Sequence, residues 1–414
     1  MSGFDVVLGN PPFLNQLETA TSTAKGLAGI VEKRSGDVIR GFTDLSATFL
    51  LFSTQIVRNG GRVALVQPQS LLAVKDAAPV RLAVLKAGSL EAIWVSNAHV
   101  FEGVSVFTCA PTIQVGGRRQ STLARSTGAD FRPLPPMPLD NDALCREETW
   151  AHLAAAATGI PEITLGNSEV LGSVADATAD FRDQYYGLDG FLIESELVPA
   201  LQRDDFSAFP PIVTTGLIDL AECRWGQIST RILKTKWAAP RIDRARMEAS
   251  GILGPWIRSR LIPKIILATQ TRVVEVFVDS SGRYVPSIPL ITITIKQPER
   301  LWHVASAIAS PVCSALAMQK YAGAAMSADA IKLSAKQVLN MPLPTIDVAW
   351  DEGAAAMEAA QQATTAADRR EQLVRFGVKM CQAYAITQPT TEAVMKWWTA
   401  RLGEAPEETP DAET

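Results

Sequence analysis

The tetrapeptide Asn10-Pro11-Pro12-Phe13 constrains the fold most, because it stands directly after the apolar run Phe4-Asp5-Val6-Val7-Leu8 and a glycine, Gly9. The run reads as a short buried strand, and Gly9 as the point where the backbone turns. Two consecutive prolines lack N–H donors and have a fixed φ, so neither a helix nor a strand ladder continues through them. The tetrapeptide therefore sits at the carboxyl end of a strand, the edge at which open α/β sheets bind ligands.

Its groups suit one kind of chemistry. An exocyclic amine on an aromatic base is a poor nucleophile, since its lone pair is delocalised into the ring. The Asn10 side-chain oxygen and the Pro11 carbonyl each accept one N–H, which returns density to nitrogen and fixes its direction. The second proline stiffens the corner so that both acceptors are placed in advance. Phe13 then offers a face for an extruded base to stack on.

The next hundred residues alternate between helix and strand. A polar stretch, residues 15–41, reads as a loop beside the tetrapeptide, and apolar residues then recur at helical spacing from Asp44 to Val57, stopped by Asn59-Gly60-Gly61. Arg62–Val66 reads as a buried strand ending at Gln67-Pro68-Gln69-Ser70, Ala78–Ala87 as a helix, and Glu91–Val95 as a third strand. A loop through Phe101-Glu102-Gly103 leads to the long apolar strand Ser105–Val115. That last strand has no helix before it, which predicts an antiparallel return in an otherwise parallel sheet.

The tetrapeptide resembles motif IV of the S-adenosylmethionine-dependent amino-group methyltransferases, in the Asn-Pro-Pro-aromatic form of the N6-adenine DNA enzymes. The helix-Gly-Gly-Arg-strand-Gln-Pro-x-Ser segment and Val100-Phe101-Glu102-Gly103-Val104-Ser105 are similar to the segments downstream of that motif in the γ-class enzymes. That class includes the type IIG restriction–modification enzymes and related phage-defence methylases. The resemblance spans about residues 3 to 116 and implies an α/β fold with strands four to seven of a Rossmann-like methyltransferase sheet. It also implies catalytic roles for Asn10, Pro11, Pro12 and Phe13, with Phe101 on the opposite face of the target base from Phe13. Asn10 would be this chain's one contact to the cofactor, S-adenosylmethionine.

In that family strands one to three precede motif IV and carry a Gly-rich turn for the cofactor. Only two residues stand before Gly3, and Gly116-Gly117-Arg118-Arg119 leads into polar loop instead of a helix. The expectation is therefore a C-terminal portion whose cofactor pocket is completed by an N-terminal methyltransferase half or a partner subunit. The strand Phe4–Leu8 would then present an apolar open edge.

The net charge of −4 divides unevenly. Residues 1–211 hold 16 Lys+Arg against 23 Asp+Glu, residues 212–345 hold 17 against 8, and residues 346–414 hold 6 against 12. A basic block inside an acidic chain is the footprint of a polyanion partner, which the resemblance implies is double-stranded DNA. Within it Arg224, Arg231, Lys234, Lys236, Arg241, Arg244, Arg246, Arg258, Arg260 and Lys264 interleave with Trp225, Trp237 and Trp256, which predicts DNA contacts. Farther on, Lys264–Gln270 and Arg272–Val278 read as strands, Asp279-Ser280-Ser281-Gly282 as a hairpin turn, and Tyr284–Ile295 as a continuation of the sheet. An Ala-rich helix is expected over about 298–318.

The five cysteines and three histidines are scattered without metal-ligand spacing, so no metal is expected. No apolar run is long enough to span a bilayer, and the prolines interrupt any signal peptide, so the expected location is cytoplasmic, without a membrane partner. The expected organisation is a catalytic-domain half over 1–116, a Pro/Gly-rich linker and helical connector over 117–172, an α+β target-recognition domain over 173–345, C-terminal helices over 346–402, and a disordered acidic tail over 403–414. The expected activity is site-specific adenine-N6 methylation of DNA. Alternatives are a non-catalytic DNA-recognition subunit with a vestigial methylase half, and a protein-glutamine or RNA methyltransferase; the basic domain argues against the glutamine enzyme.

Overall fold

The structure, a computed structural model, describes residues 3–13, 25–36, 38–39, 43–101, 106–117, 119–180, 182–251, 253–322 and 330–402. It divides into two compact units, Met1–Glu162 with Ala317–Ala330, and Ile163–Leu316 with Ile331–Thr414. The acidic tail over 403–414 and about half of the loop expected over 15–41 lie outside the described residues, and Lys25–Ser35 within that loop is helical.

The first unit contains β1 (Phe4–Gly9), α1 (Lys25–Ser35), α2 (Leu45–Ile56), β2 (Val57–Leu65), β3 (Gln67–Pro68), α3 (Ser70–Ala73), α4 (Ala78–Ala87), β4 (Gly88–Val95), β5 (Thr108–Val115), β6 (Thr122–Thr127), β7 (Arg132–Pro138) and α5 (Asn141–Arg146). Its mixed sheet has the order β1-β2-β5-β4-β6-β7, with β3 also paired to β5. β1 runs parallel to β2, while β5 inserts antiparallel between β2 and β4. This is the predicted return strand, and β1-β2-β5-β4 reproduces the second half of a Rossmann-like methyltransferase layer. Leu50, Val63, Leu65, Val84, Leu90, Ile93 and Ile113 form the core beneath it.

Three expectations are corrected here. β1 forms with the expected open apolar edge, not the burial read from its run: Phe4, Val6 and Leu8 are 64%, 52% and 73% exposed, because β1 has a strand neighbour on one side only among the described residues. The Pro-rich stretch expected as a linker is instead the β6–β7 hairpin, joined to β4. Leu123, Arg125 and Thr127 alternate inward along β6. The prolines fall on β7, an edge strand whose outer side needs no donor. Finally, the helical connector expected within 117–172 breaks into short α5, capped by Asp140, and 3₁₀ turns over Ala151–Thr158.

The second unit contains β8 (Ala175–Ala179), α6 (Arg182–Tyr186), β9 (Leu192–Glu194), β10 (Ile212–Val213), β11 (Ile218–Asp219), β12 (Glu222–Cys223), β13 (Thr230–Ile232), β14 (Thr235–Trp237), β15 (Pro240–Ile242), α7 (Arg244–Ser250) and α8 (Gly254–Arg260). β16 (Lys264–Ala268), β17 (Glu275–Asp279), β18 (Val285–Pro286), β19 (Ile291–Ile295) and α9 (Leu301–Ala309) come next. The helices α10 (Pro311–Tyr321), α11 (Ala335–Leu339), α12 (Asp347–Gln362), α13 (Ala366–Ala383) and α14 (Gln388–Thr399) complete the described chain, with α10 running across the division between units. An antiparallel sheet of order β17-β16-β19-β8 forms the centre, with two-stranded pairs around it.

Asp279-Ser280-Ser281-Gly282 turns the chain as expected but does not close a hairpin. The strand after it splits, with β18 pairing to β10 and β19 crossing to the far side of β16. The helix expected over 298–318 breaks at Ser310-Pro311 into α9 and α10, bent by 50°, since a proline interrupts the backbone ladder. No single described helix is long and apolar enough to cross a membrane.

Candidate functional site

The tetrapeptide occupies the carboxyl end of β1. The register pairs Gly9 with Leu65, and the Val66 N–H donates to the Gly9 carbonyl at 3.0 Å, so pairing stops as the prolines begin. Pro11 is buried while Asn10 and Pro12 are exposed and Phe13 is half-buried. One proline thus anchors the corner and leaves the Asn10 amide facing outward.

Phe101, predicted to work with Phe13, lies against it: the ring centroids are 6.0 Å apart at an interplanar angle of 74°. Both rings are half-buried. A base held between two parallel faces needs two van der Waals gaps of about 3.5 Å each, so one ring must rotate from this edge-to-face contact to admit it. Glu102–Ser105, the rest of the segment that carried the resemblance there, lies outside the described residues.

The segment bearing Phe101 is tied at its base by residues to which the sequence assigned no role. Gln69 is buried; its N–H donates to the Phe107 carbonyl at 2.8 Å, and its amide Nε2 to the carbonyls of Ser96 at 3.1 Å and Thr108 at 3.4 Å. The Thr108 N–H donates to Ser96 Oγ at 2.8 Å, and the His99 and Phe107 rings are 4.6 Å apart. Gln67, fully buried, donates from Nε2 to the carbonyls of Ser46 and Val66, both at 3.1 Å. This bond ties the first turn of α2 to the end of β2, beside the tetrapeptide. There Asp44 caps α2, accepting from the Ser46 N–H at 2.8 Å, and burial raises its carboxyl pKa against the effect of those hydrogen bonds. Two glutamines flanking Pro68 in an apolar stretch were the available signal.

The basic block separates into interior, ion-paired and exposed cations. Lys264 is fully buried and ion-paired to Asp279 at 2.5 Å; burial lowers its pKa and the Asp279 charge opposes that shift. Arg241 is 4% exposed, donates to Ser195 Oγ at 2.9 Å and to the Arg203 carbonyl at 2.7 Å, and lies over the rings of Phe206 and Trp225. These two are interior cations and are removed from the predicted DNA contacts. Arg260 is paired with Asp180, Arg224 with Asp219 at 2.7 Å, and Arg244 and Arg258 share Glu248 at 3.1 and 3.2 Å. Those pairings hold the Glu248 carboxyl below its usual range, the Arg244 hydrogen bond most of all.

Arg231, Lys234, Lys236, Arg246 and Arg258 are exposed. The tryptophans serve packing: Trp225 Nε1 donates to the Pro240 carbonyl at 2.9 Å, Trp237 Nε1 to the Ile232 carbonyl at 3.2 Å, and Trp256 packs on the apolar cluster around Ile257.

Comparison with known proteins gives three findings. No curated protein matches the chain. Among solved structures the chain is similar in fold to the Type IIL restriction-modification enzyme MmeI, solved in complex with DNA, at a TM-score of 0.58 and 12% identity, covering 96% of this chain and 56% of that one. The type IIG restriction endonuclease BpuSI aligns at 13% identity and a TM-score of 0.36, covering 96% of this chain and 54% of that chain. The chain thus spans about half the length of the structures it matches. Residues 1–101, which contain β1, the tetrapeptide and Phe101, match the family model described as Eco57I restriction-modification methylase.

Proposed function

We propose that the chain carries the target-base and DNA-recognition portion of a site-specific adenine-N6 DNA methyltransferase of a restriction–modification or phage-defence system. The observation that carries this reading is the Phe13–Phe101 ring pair beside exposed Asn10, at the carboxyl end of β1 in a β1-β2-β5-β4 layer. The target adenine leaves the duplex and enters between the two rings. Asn10 accepts one N–H of its amine and the Pro11 carbonyl accepts the other, so the lone pair is drawn out of the ring and aimed. Gln69 acts at a distance by keeping the segment that bears Phe101 in place. S-adenosylmethionine, when bound, supplies the methyl group in a direct displacement.

Asn10 provides one contact to that cofactor, and the remaining walls come from residues other than those described. The open side of β1, with Phe4, Val6 and Leu8 exposed, supports completion of the layer by a cofactor-binding half or a partner subunit. The same open side is compatible with a second reading, a recognition subunit that binds DNA without chemistry. Methyl-transfer assays of the completed enzyme with Asn10→Ala decide between them. The first reading expects transfer to be abolished while DNA affinity stays nearly unchanged; methylation at close to the parent rate refutes the role given to Asn10. Failure of every neighbouring gene product to restore transfer to the parent chain favours the second reading.

A further inference from the structure

β13 and β14 form a short hairpin with Thr230 opposite Trp237, Arg231 opposite Lys236 and Ile232 opposite Thr235. Its inner face is a packing face. Ile232 is fully buried, and Trp237 and the turn residue Leu233 pack on the same cluster as Met247, Leu253 and Ile257. The turn itself is Leu233-Lys234, with φ of 52° and 66°. Two-residue turns of this kind ordinarily take Asn-Gly, because both positions need positive φ.

Leu233 has a structural reason to be there, since it packs inward and its N–H donates to Tyr185 Oη at 2.8 Å. Lys234 has none: it is exposed, in backbone that favours glycine. A side chain kept at a strained tip without a packing role points to function. Lys236 is exposed on the outer face, opposite Arg231. Beside the turn, Tyr186 is 63% exposed, its ring set against that of Tyr185 at 5.5 Å and 71°. Tyr185 therefore both clamps the hairpin tip and mounts the exposed ring.

We propose that the β13–β14 hairpin, with Tyr186 at its turn, is the element this unit presses against duplex DNA. Lys234 and Lys236 take phosphates, while Tyr186 contributes aromatic contact area. The inference rests on the proposed DNA-methyltransferase reading and assigns the contact to one element within it. A two-stranded ribbon matches the width of the major groove, and anchoring on a buried cluster spares the ordering cost that a flexible basic loop would meet on binding. The cations buried elsewhere in this unit, Lys264 and Arg241, are already committed to interior partners.

The test is fluorescence anisotropy of the full chain with a labelled duplex over a series of salt concentrations. The Lys234→Ala/Lys236→Ala chain is expected to lose about two units of slope in log affinity against log salt. Tyr186→Ala is expected to weaken binding about threefold to tenfold through lost aromatic contact area, with the slope unchanged. Lys234→Gly separates contact from folding, because glycine suits the turn: it should melt no lower than the parent and still bind DNA more weakly. Parent-like affinity and slope in all three variants, with the parent chain binding DNA, overturns the hairpin assignment alone. Failure of the parent chain to bind duplex DNA at low salt overturns the DNA reading beneath it as well.

Discussion

Lys264 and Lys234 carry the same charge to opposite ends. Lys264 lies between strands with Asp279, whose carboxylate also accepts from the N–H groups of Arg283 and Tyr284 and so shapes the turn after β17. Lys264→Met leaves that carboxylate buried without its cation, and urea denaturation should show a loss of about 3–5 kcal/mol, with the salt slope of DNA binding unchanged. A half-buried carboxyl gives a pH signature. Burial, with the Asp219 charge adding to it and Arg224 opposing, pushes the Glu275 carboxyl up from an ordinary 4.5 to about 8. The folded state keeps a proton that the unfolded chain releases, so the contribution to stability is complete below about 4.5 and is lost as pH rises through about 8. The melting temperature should fall across that window, and the Glu275→Gln chain should fall less steeply; equal slopes would acquit this carboxyl. The burial of Lys264 was not visible beforehand, because a lysine between apolar neighbours reads alike whether its strand is central or at a surface.

At the scale of elements, the pairing of β1 with β2 sets the candidate site. The register slips between Phe4 and Val6, where Arg58–Gly61 bulges out of β2. A Cβ at Gly61 would lie 2.6 Å from the Asp5 carbonyl oxygen and 2.6 Å from Val57 Cγ1. Gly61→Ala must therefore push the two strands apart, and thermal or urea unfolding should show a cost of about 1–3 kcal/mol. A change in methyl transfer beyond that expected from lost stability would mean the slip also aims Asn10. The glycine pair was legible as the end of α2, yet its use as a bulge was not: α2 ends at Ile56, and the strand begins before the glycines. The same element logic explains β6 and β7. Prolines read as linker in sequence because they break ladders, but one side of an edge strand needs no ladder.

For the whole molecule, the candidate site is built at one end of a sheet whose other long side, along β1, stays open among the described residues. If another segment completes the cofactor pocket, calorimetry should find weak or no binding of S-adenosylmethionine by these 414 residues alone. Tight stoichiometric binding would refute that arrangement and place the pocket within them. By itself, the sequence determined the local chemistry: a strand ending in a stiff Asn10-Pro11-Pro12-Phe13 corner, a return strand after Phe101, and a basic central block. Those features stem from proline's fixed φ, from hydrophobic periodicity and from charge count, all of which act over a few neighbouring residues. Only the tertiary structure decided that Phe13 meets Phe101 edge to face, that Gln67 and Gln69 brace that corner, that Lys264 and Arg241 are interior, and that Tyr185 ties Tyr186 to a lysine-tipped hairpin. Each of these depends on burial and long-range pairing, which are set by the packing of distant segments and which no local pattern specifies.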